Sequence, residues 1–153
     1  HVVASDDVYG GTFRIFDKQG NSLQGPLTFG NLWPGGDPCN SNLGDPIVVY
    51  DQLADRWVFS QFALFTPEGG HQCFAVSQTP DPLGPYYLYD YVFSPNGALN
   101  DYPKIGVWPD GYYIPTSTGD DVIEKHVCIA DRWQCRRHGS VLFARRCLGE
   151  LLC

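Results

Sequence analysis

The chain has 153 residues, and its 43% hydrophobic and 14% aromatic content is enough for the core of one folded domain. Seventeen acidic and 10 basic residues give a net charge of -7, which argues against nucleic acid or an anionic membrane as partner, since both require clustered Lys and Arg. No apolar stretch approaches the ~18 residues that span a bilayer. Seventeen Gly and 12 Pro favour many short strands over long helices.

The first thirty residues predict short strands joined by turns. Val2–Val8 precedes a turn at Gly10–Gly11, and Thr12–Phe16 alternates aromatic and polar residues as a half-buried strand does. A tight turn at 17–21 then leads into an antiparallel return over Ser22–Phe29.

The next segment, residues 31–43, is predicted to be a loop because it is rich in Gly, Pro and Asn. It carries Trp33, which we expect to be exposed and able to stack on a sugar ring. Its Asp37–Asn42 portion offers carboxylate, amide and carbonyl oxygens of the kind that calcium prefers. Because the EF-hand spacing is absent, we predict no resident cofactor, with calcium in this loop as the alternative.

Residues 44–61, GDPIVVYDQLADRWVFSQ, predict the hairpin around which the chain is organised. Two short apolar runs, Ile47–Tyr50 and Trp57–Phe59, lie on either side of a polar turn. Each run is β-branched or aromatic and is bounded by Gly, Pro or Asp, which is typical of buried strands. We expect Arg56 to form an ion pair with an acid of the turn, Asp51 or Asp55.

The following stretch continues the β pattern. Residues 66–71 predict a turn in which His71 is solvated, and Gln72–Gln78 predicts a strand. Tyr86–Phe93, YYLYDYVF, is the most aromatic strand of the chain. Its tyrosines either stack on sugar rings or, more commonly for aromatics at strand spacing, fill the space between sheets.

A second hairpin pattern, residues 101–117 (DYPKIGVWPDGYYIPTS), repeats the first. Both copies have Asp and Pro, an apolar run, an Asp turn and an aromatic-rich run that ends in Ser. A repeat of about 50 to 60 residues is near the length of a propeller blade. Trp108 is a second candidate for stacking on a sugar. The residues predicted to shape the turns and the repeat are Asp45, Asp51, Arg56, Trp57, Asp101, Trp108 and Asp110.

The blocks GDPIVVYDQLADRW, CFAVSQTPDPLGPYYLYDY and DYPKIGVWPDGYYIPTS cover about residues 8–118, and their order resembles a family of large secreted bacterial proteins that are mostly uncharacterised. The resemblance implies an all-β fold of antiparallel sheets similar to sialidase-like propellers. The chain would hold about two propeller-like blades, an incomplete propeller, with the remaining blades of a parent protein as partners. It also implies a secreted or cell-surface location. Cysteines of that family stand where Cys39 and Cys73 stand.

Cys39 and Cys73 flank one hairpin, and in a secreted chain a disulfide is the expected use of the pair. Closing a loop of ~34 residues contributes roughly 3 to 4 kcal/mol in the chain-entropy model. Two free buried thiols are the alternative.

The end of the chain differs in composition from the rest. Residues 1–118 hold 4 basic and 12 acidic side chains, whereas residues 119–153 hold 6 and 5. We therefore predict a propeller-like domain over 1–121 and an irregular Cys/Arg-rich tail over 122–153. The tail is either a truncated or frame-shifted gene end, or a genuine hairpin or short helix pinned by disulfides. Its cysteines and histidines lack the spacing of structural zinc sites: Cys128, Cys135, Cys147, Cys153, His126 and His138. The absence of a signal-peptide pattern and of methionine is expected of a processed chain or a fragment.

The body offers few groups for catalysis. A sialidase-like site needs three arginines, whereas residues 1–118 contain only Arg14 and Arg56, and Glu68 is the sole Glu there. Nucleophile-elbow, zinc-protease and phosphate-loop motifs are missing from the sequence. The aspartates neighbour Pro, Gly or turn residues, where their side chains bond nearby N–H groups: Asp45, Asp51, Asp81, Asp101 and Asp110.

These patterns predict a non-catalytic extracellular module that serves as a scaffold, an adhesion surface or a glycan-binding surface. The alternative is one part of a glycoside-hydrolase propeller whose active site is completed by missing blades. Two carboxylates and an arginine converging on one concave pocket would favour the hydrolase.

Overall fold

A computed structural model describes residues 2–7, 10–66, 69–92, 100–109 and 111–116, together with three short strands between residues 127 and 143. The chain separates into two compact units, His1–Asn100 and Asp101–Cys153. The domain boundary near residue 121 stays a prediction, since most of the tail lies outside the described residues. Among the described residues, no helix has the length and hydropathy to cross a bilayer.

The first unit consists of two antiparallel sheets. The first sheet has the order β1-β2-β3 and the second is a four-stranded meander, β4-β5-β6-β7. The strands are β1 (Val2–Asp7), β2 (Gly10–Phe16), β3 (Ser22–Thr28), β4 (Gly44–Asp51), β5 (Arg56–Thr66), β6 (Gly69–Ser77) and β7 (Tyr86–Val92). Two 3₁₀ turns, Phe29–Leu32 and Pro38–Ser41, connect the sheets. The predicted all-β fold with antiparallel sheets is confirmed, and the four-stranded meander is compatible with a blade of an incomplete propeller.

The second unit opens with a hairpin of β8 (Gly106–Trp108) and β9 (Gly111–Tyr113), which lies within residues 101–117; the proposed repeat itself stays a prediction. The amide of Lys104 donates to the carbonyl of Pro115 at 3.2 Å and closes the segment around this hairpin. Three further strands form a small sheet in the order β10-β12-β11, in which β10 and β12 are parallel: β10 (Val127–Cys128), β11 (Arg137–His138) and β12 (Val141–Phe143). The rest of the predicted irregular tail lies outside the described residues.

The β4–β5 turn shows why the organising hairpin forms. Asp51 is fully buried, and its Oδ1 accepts hydrogen bonds from the amides of Leu53 (2.8 Å) and Ala54 (3.0 Å). Asp55 adopts a left-handed φ of 57°, a conformation that Asp tolerates better than most residues. Arg56 donates from Nη1 to the backbone carbonyl of Asp55 at 3.0 Å. Local turn chemistry therefore fixes the register between the two apolar runs.

The core of the first unit is an aromatic cluster between the sheets. Phe13 of β2 and Phe59 of β5 have ring centroids 5.1 Å apart, and Phe29 lies 5.5 Å from both. All three side chains are at most 3% exposed. Burial of such rings contributes on the order of 2 kcal/mol each from apolar area alone, so this cluster holds the two sheets together.

The predicted exposure of Trp33 is wrong. Trp33 is 4% exposed and belongs to the same core. The 3₁₀ turns fold the 31–43 segment back on itself, because Asn40 donates from Nδ2 to the carbonyls of Gly30 (2.8 Å) and Trp33 (3.3 Å), and the amide of Trp33 donates to Gly30 at 3.0 Å. A buried indole cannot stack on a ligand at the surface.

The β2–β3 turn is stabilised by hydrogen bonds to the carboxylate of Asp17, and this stabilisation depends on pH. Asp17 accepts hydrogen bonds from the amides of Gln19 and Asn21 (2.9 and 2.8 Å) and from Nδ2 of Asn21 (2.7 Å). These bonds, the one from the Asn21 side chain first, lower the pKa of Asp17 below its usual 3.8. Since the pKa is lower in the folded state, the carboxylate stabilises the fold above the unfolded pKa, and this contribution is lost as the pH falls through the folded pKa.

We expect Asn21→Ala to raise the pKa of Asp17 part of the way back to 3.8, because the backbone donors remain. Carboxyl-carbon NMR titration measures this directly. Gln52→Ala, in the exposed part of the other hairpin turn, is the control and should leave the pKa of Asp17 unchanged. An unaltered pKa in Asn21→Ala would contradict the role of the side-chain bond.

Candidate ligand-binding site

Four of the aspartates predicted to be turn or loop residues accept hydrogen bonds from backbone amides of their own turns. Asp37, Asp51, Asp81 and Asp101 each accept a hydrogen bond of 2.8 to 3.0 Å from a backbone amide one to three residues further along the chain. Each of these carboxylates is therefore used as a hydrogen-bond acceptor within its own turn. Asp45 has a left-handed φ of 48° at the start of β4. Asp110 lies outside the described residues.

Aromatic side chains do converge, at one end of the second sheet. Tyr50 of β4 is the cross-strand partner of Trp57 of β5, and their ring centroids are 4.9 Å apart. The row continues through Ser77, whose hydroxyl accepts from the Trp57 amide at 2.8 Å, to its partner Tyr86 on β7. Neighbouring strands are about 4.8 Å apart, so Trp57 and Tyr86 stand roughly 10 Å apart across the sheet. We call Tyr50, Trp57 and Tyr86 the aromatic strip.

The connection between β6 and β7 holds two rings of the strip in place. The indole Nε1 of Trp57 donates to the carbonyl of Pro80 at 3.1 Å, and the hydroxyl of Tyr86 donates to the carbonyl of Pro82 at 2.6 Å. Burial, and then the nearby carboxylate of Asp81, raise the pKa of Tyr86, so its hydroxyl stays a neutral donor. The polar ends of both rings thus bond the β6–β7 connection, while both side chains pack against the core and stay only partly exposed.

Beside Tyr86 the structure has a small open cleft of about 140 Å³. It lies between the β3 segment with the first 3₁₀ turn and the β6–β7 connection. Exposed amide side chains of Gln24 and Asn31 lie at its edge, and Leu83, which is 48% exposed, lies on the other side. Its lining is uncharged: Phe13, Gln24, Leu27, Asn31, Leu32, Pro82, Leu83, Gly84 and Tyr86. Drug-sized pockets have about 300 to 1,000 Å³, so this cleft suits one ring of a ligand that extends along the surface.

The two predicted stacking residues differ. Trp33 is buried, as described above, whereas Trp108 of β8 is 64% exposed in the second unit. Tyr102 is also prominent there, with 70% exposure and Nζ of Lys104 at 5.2 Å from its ring centroid. A stacking role for Trp108 therefore stays a prediction that its exposure permits.

The predicted disulfide between Cys39 and Cys73 is present, with the two Cα atoms 5.8 Å apart. Both cysteines are fully buried, and the bond ties the second 3₁₀ turn to β6. The oxygens predicted for calcium have internal uses in the same segment. Oδ1 of Asp37 accepts from the amide of Cys39, and Oδ1 of Asn42 accepts from the amide of Gly30 at 3.1 Å.

The prediction that His71 is a solvated turn residue is wrong. β6 begins at Gly69, so His71 already belongs to the strand and is 6% exposed. Its Nδ1 lies 2.7 and 2.9 Å from the two carboxylate oxygens of Asp90 on β7. His71 is two residues before Cys73 and four before Ala75, so the alternation of a strand places it on the same face as Cys73, Ala75 and Ser77. This spacing could have predicted its burial.

Comparisons of the chain with protein-family models, with curated proteins and with solved structures found no match. The site is therefore characterised by its own geometry alone: a fixed aromatic strip that ends in an uncharged cleft.

Proposed function

We propose that this chain is a non-catalytic extracellular β-module that binds a neutral glycan along the aromatic strip. The observation that carries the proposal is the strip itself, in which half-buried rings are anchored by backbone hydrogen bonds and end beside a cleft lined by uncharged side chains. Aromatic faces pack on the apolar faces of sugar rings, and the amides of Gln24 and Asn31 are suited to hydroxyl groups. A lining without Lys, Arg or His favours a neutral ligand over an anionic one.

Two features support the extracellular part of the proposal. The buried Cys39–Cys73 disulfide is of the type that persists in oxidising compartments. The four-stranded antiparallel meander β4-β5-β6-β7 has the strand number and connectivity of a propeller blade. Both agree with membership of a secreted propeller-like family whose other blades complete the parent protein, which remains part of the proposal.

The alternative, a glycoside hydrolase completed by missing blades, needs a pair of carboxylates at a defined separation. The aspartates that bond their own turns favour the binding module instead. Incubation of the chain with aryl glycosides, sialosides included, should release no aryl alcohol, and turnover above background would favour the hydrolase.

The strip is tested by screening the chain against neutral oligosaccharides of glucose, mannose and N-acetylglucosamine, with sialylated and uronic-acid glycans as the anionic set. We expect binding within the neutral set, and a loss of affinity of about tenfold or more (about 1.4 kcal/mol or more) in Trp57→Ala. Titration calorimetry or NMR shift perturbation measures the change. Tyr50→Ala, which removes the most exposed ring of the strip, should weaken binding without a large change in the free energy of unfolding.

Trp108→Ala tests the competing assignment, because Trp108 is an exposed tryptophan of the second unit that is also predicted to stack on a sugar. If the aromatic strip alone binds the glycan, this variant leaves the affinity unchanged. The assignment of the strip fails if Trp108→Ala abolishes binding while Trp57→Ala remains folded and binds normally. Exclusive binding of the anionic set would contradict the neutral ligand.

A further inference from the structure

A second group of chemically active side chains lies on the same sheet. Gln61 of β5, Cys73 of β6 and Asp90 of β7 form one cross-strand row. Cys39 reaches this row from the second 3₁₀ turn through its bond to Cys73. The sulfurs of Cys39 and Cys73 and a carboxylate oxygen of Asp90 all lie within 4.8 Å of one another. Two sulfurs and one carboxylate are therefore clustered closely enough to be considered as ligands of one metal ion.

Two neighbours of this point are themselves unusual. His71 is almost fully buried, and its Nδ1 faces both carboxylate oxygens of Asp90 at 2.7 and 2.9 Å. Gln61 is fully buried and donates from Nε2 to the carbonyl of Cys39 at 2.7 Å. Among the described residues, its Oε1 has no hydrogen-bond partner. A buried acceptor without a partner is costly, and this one belongs to the amide that contacts Cys39.

We propose that reduction of the Cys39–Cys73 disulfide opens a zinc site with the two thiolates and the Asp90 carboxylate as ligands. Zinc binds thiolate at about 2.3 Å and carboxylate at about 2.0 to 2.2 Å in a tetrahedron. Ligand atoms around such an ion are roughly 3.3 to 3.8 Å apart, as those bond lengths require. The Asp90 carboxylate already lies within 4.8 Å of both sulfurs, and the two sulfurs, which are bonded to each other in the oxidised chain, move apart to the spacing of zinc ligands once their bond is broken.

The neighbours have defined tasks in this site. His71 positions the carboxylate, since ligands of zinc are commonly oriented by a hydrogen bond from an outer group. A water molecule completes the tetrahedron, and Gln61 Oε1 supplies a buried acceptor for it. The ion enters from the side of Asp90, whose side chain is 29% exposed on β7, a strand at the edge of the sheet. The cysteines themselves are fully buried.

Reduction of the disulfide requires a two-electron reductant, and an external dithiol supplies it. The dithiol supplies two electrons and two protons and becomes a disulfide, while the bond between the sulfurs of Cys39 and Cys73 breaks to give two thiols. Zinc then displaces the two thiol protons. In the oxidised chain neither sulfur is a thiolate, so the site stays closed in an oxidising compartment and exists only where the chain meets a reducing dithiol.

The test uses the full chain with the four tail cysteines changed to serine (C128S/C135S/C147S/C153S), so that Cys39 and Cys73 are the only thiols. A phosphine that binds zinc weakly is the reductant; it becomes its oxide with oxygen taken from water. The probes are Zn²⁺, counted by native mass spectrometry, and Co²⁺, followed by its absorption spectrum. We expect one ion per reduced chain, with thiolate-to-cobalt charge-transfer bands, and none per oxidised chain.

Matched variants separate the ligands from the surroundings. Asp90→Asn should weaken Co²⁺ binding at least tenfold, whereas Asp81→Asn, at an exposed turn acid, should not change it. His71→Gln should weaken binding about tenfold, keep the stoichiometry of one, and shift the d–d bands, as a positioning residue would.

Three results would overturn the zinc site: no ion on the reduced chain, equal binding before reduction, or an affinity of Asp90→Asn equal to that of the parent. If the chain unfolds on reduction, the zinc site can still be tested, because circular dichroism shows whether Zn²⁺ refolds the reduced chain. Recovery of the strand signal on adding Zn²⁺ supports the site, and failure to recover it counts against the site.

Discussion

Replacing Cys39 and Cys73 together by alanine is expected to lower the free energy of unfolding by about 3 to 4 kcal/mol. The disulfide closes a loop of 34 residues and thereby restricts the unfolded chain. Alanine is the suitable replacement because both positions are fully buried, and a serine hydroxyl there would need a hydrogen-bond partner. Urea denaturation followed by tryptophan fluorescence, in the background without tail cysteines, measures the loss.

The control for this prediction is chemical reduction of the parent in the same background. Reduction should reproduce most of the loss seen in the double variant, since both remove the same cross-link. A change below about 1 kcal/mol would contradict the chain-entropy argument. Zinc at a hundredfold excess over its Kd should restore about 2.7 kcal/mol to the reduced parent and nothing to the alanine variant. The stability measurement therefore also reports on the proposed zinc site.

The strands of the first unit could be predicted from the sequence because their signals are local. The runs at 47–50 and 57–59 carry β-branched and aromatic residues, and Asp51 terminates the first of them by bonding the amides of its own turn. The 31–43 segment could not be predicted in the same way. Its order depends on Asn40 and Asn42 reaching back to Gly30, ten and twelve residues earlier. Composition cannot distinguish such an ordered segment from an exposed loop, and for this reason the sequence predicts an exposed Trp33 where the structure has a buried one.

The candidate site depends on register, which the sequence does not give. The aromatic strip exists because Tyr50 is paired with Trp57 and Ser77 with Tyr86. A slip of one residue in either pairing would turn one ring to the opposite face. The pairing of His71 with Asp90 depends in the same way on the β6–β7 register, which is set across a connection of eight residues. The sequence identifies the tyrosines and tryptophans as possible binding residues, but only the strand pairing shows which of them lie together on one face.

Phe59→Ala is expected to be the most destabilising single change, with a loss of about 3 to 5 kcal/mol in the free energy of unfolding. Phe59 is fully buried, and its ring centroid lies 5.1 to 5.5 Å from those of Phe13, Phe29 and Tyr86. Removal leaves a cavity at the point where the two sheets and the first 3₁₀ turn meet. Small domains have a total stability of about 5 to 15 kcal/mol, so the variant should unfold at a much lower urea concentration.

Phe59→Leu separates the packing of this ring from its effect on the site. It keeps most of the apolar volume and should cost about 1 to 2 kcal/mol, mainly from lost contacts between rings. Leu53→Ala, at a side chain 58% exposed in the β4–β5 turn, should change stability by less than about 0.5 kcal/mol. An equal loss in Phe59→Ala and Leu53→Ala would contradict the placement of the core. Since the ring of Phe59 packs edge-on against that of Tyr86, with centroids 5.3 Å apart, a folded Phe59→Leu chain should also bind the neutral glycan more weakly, which would link the core of the module to its binding surface.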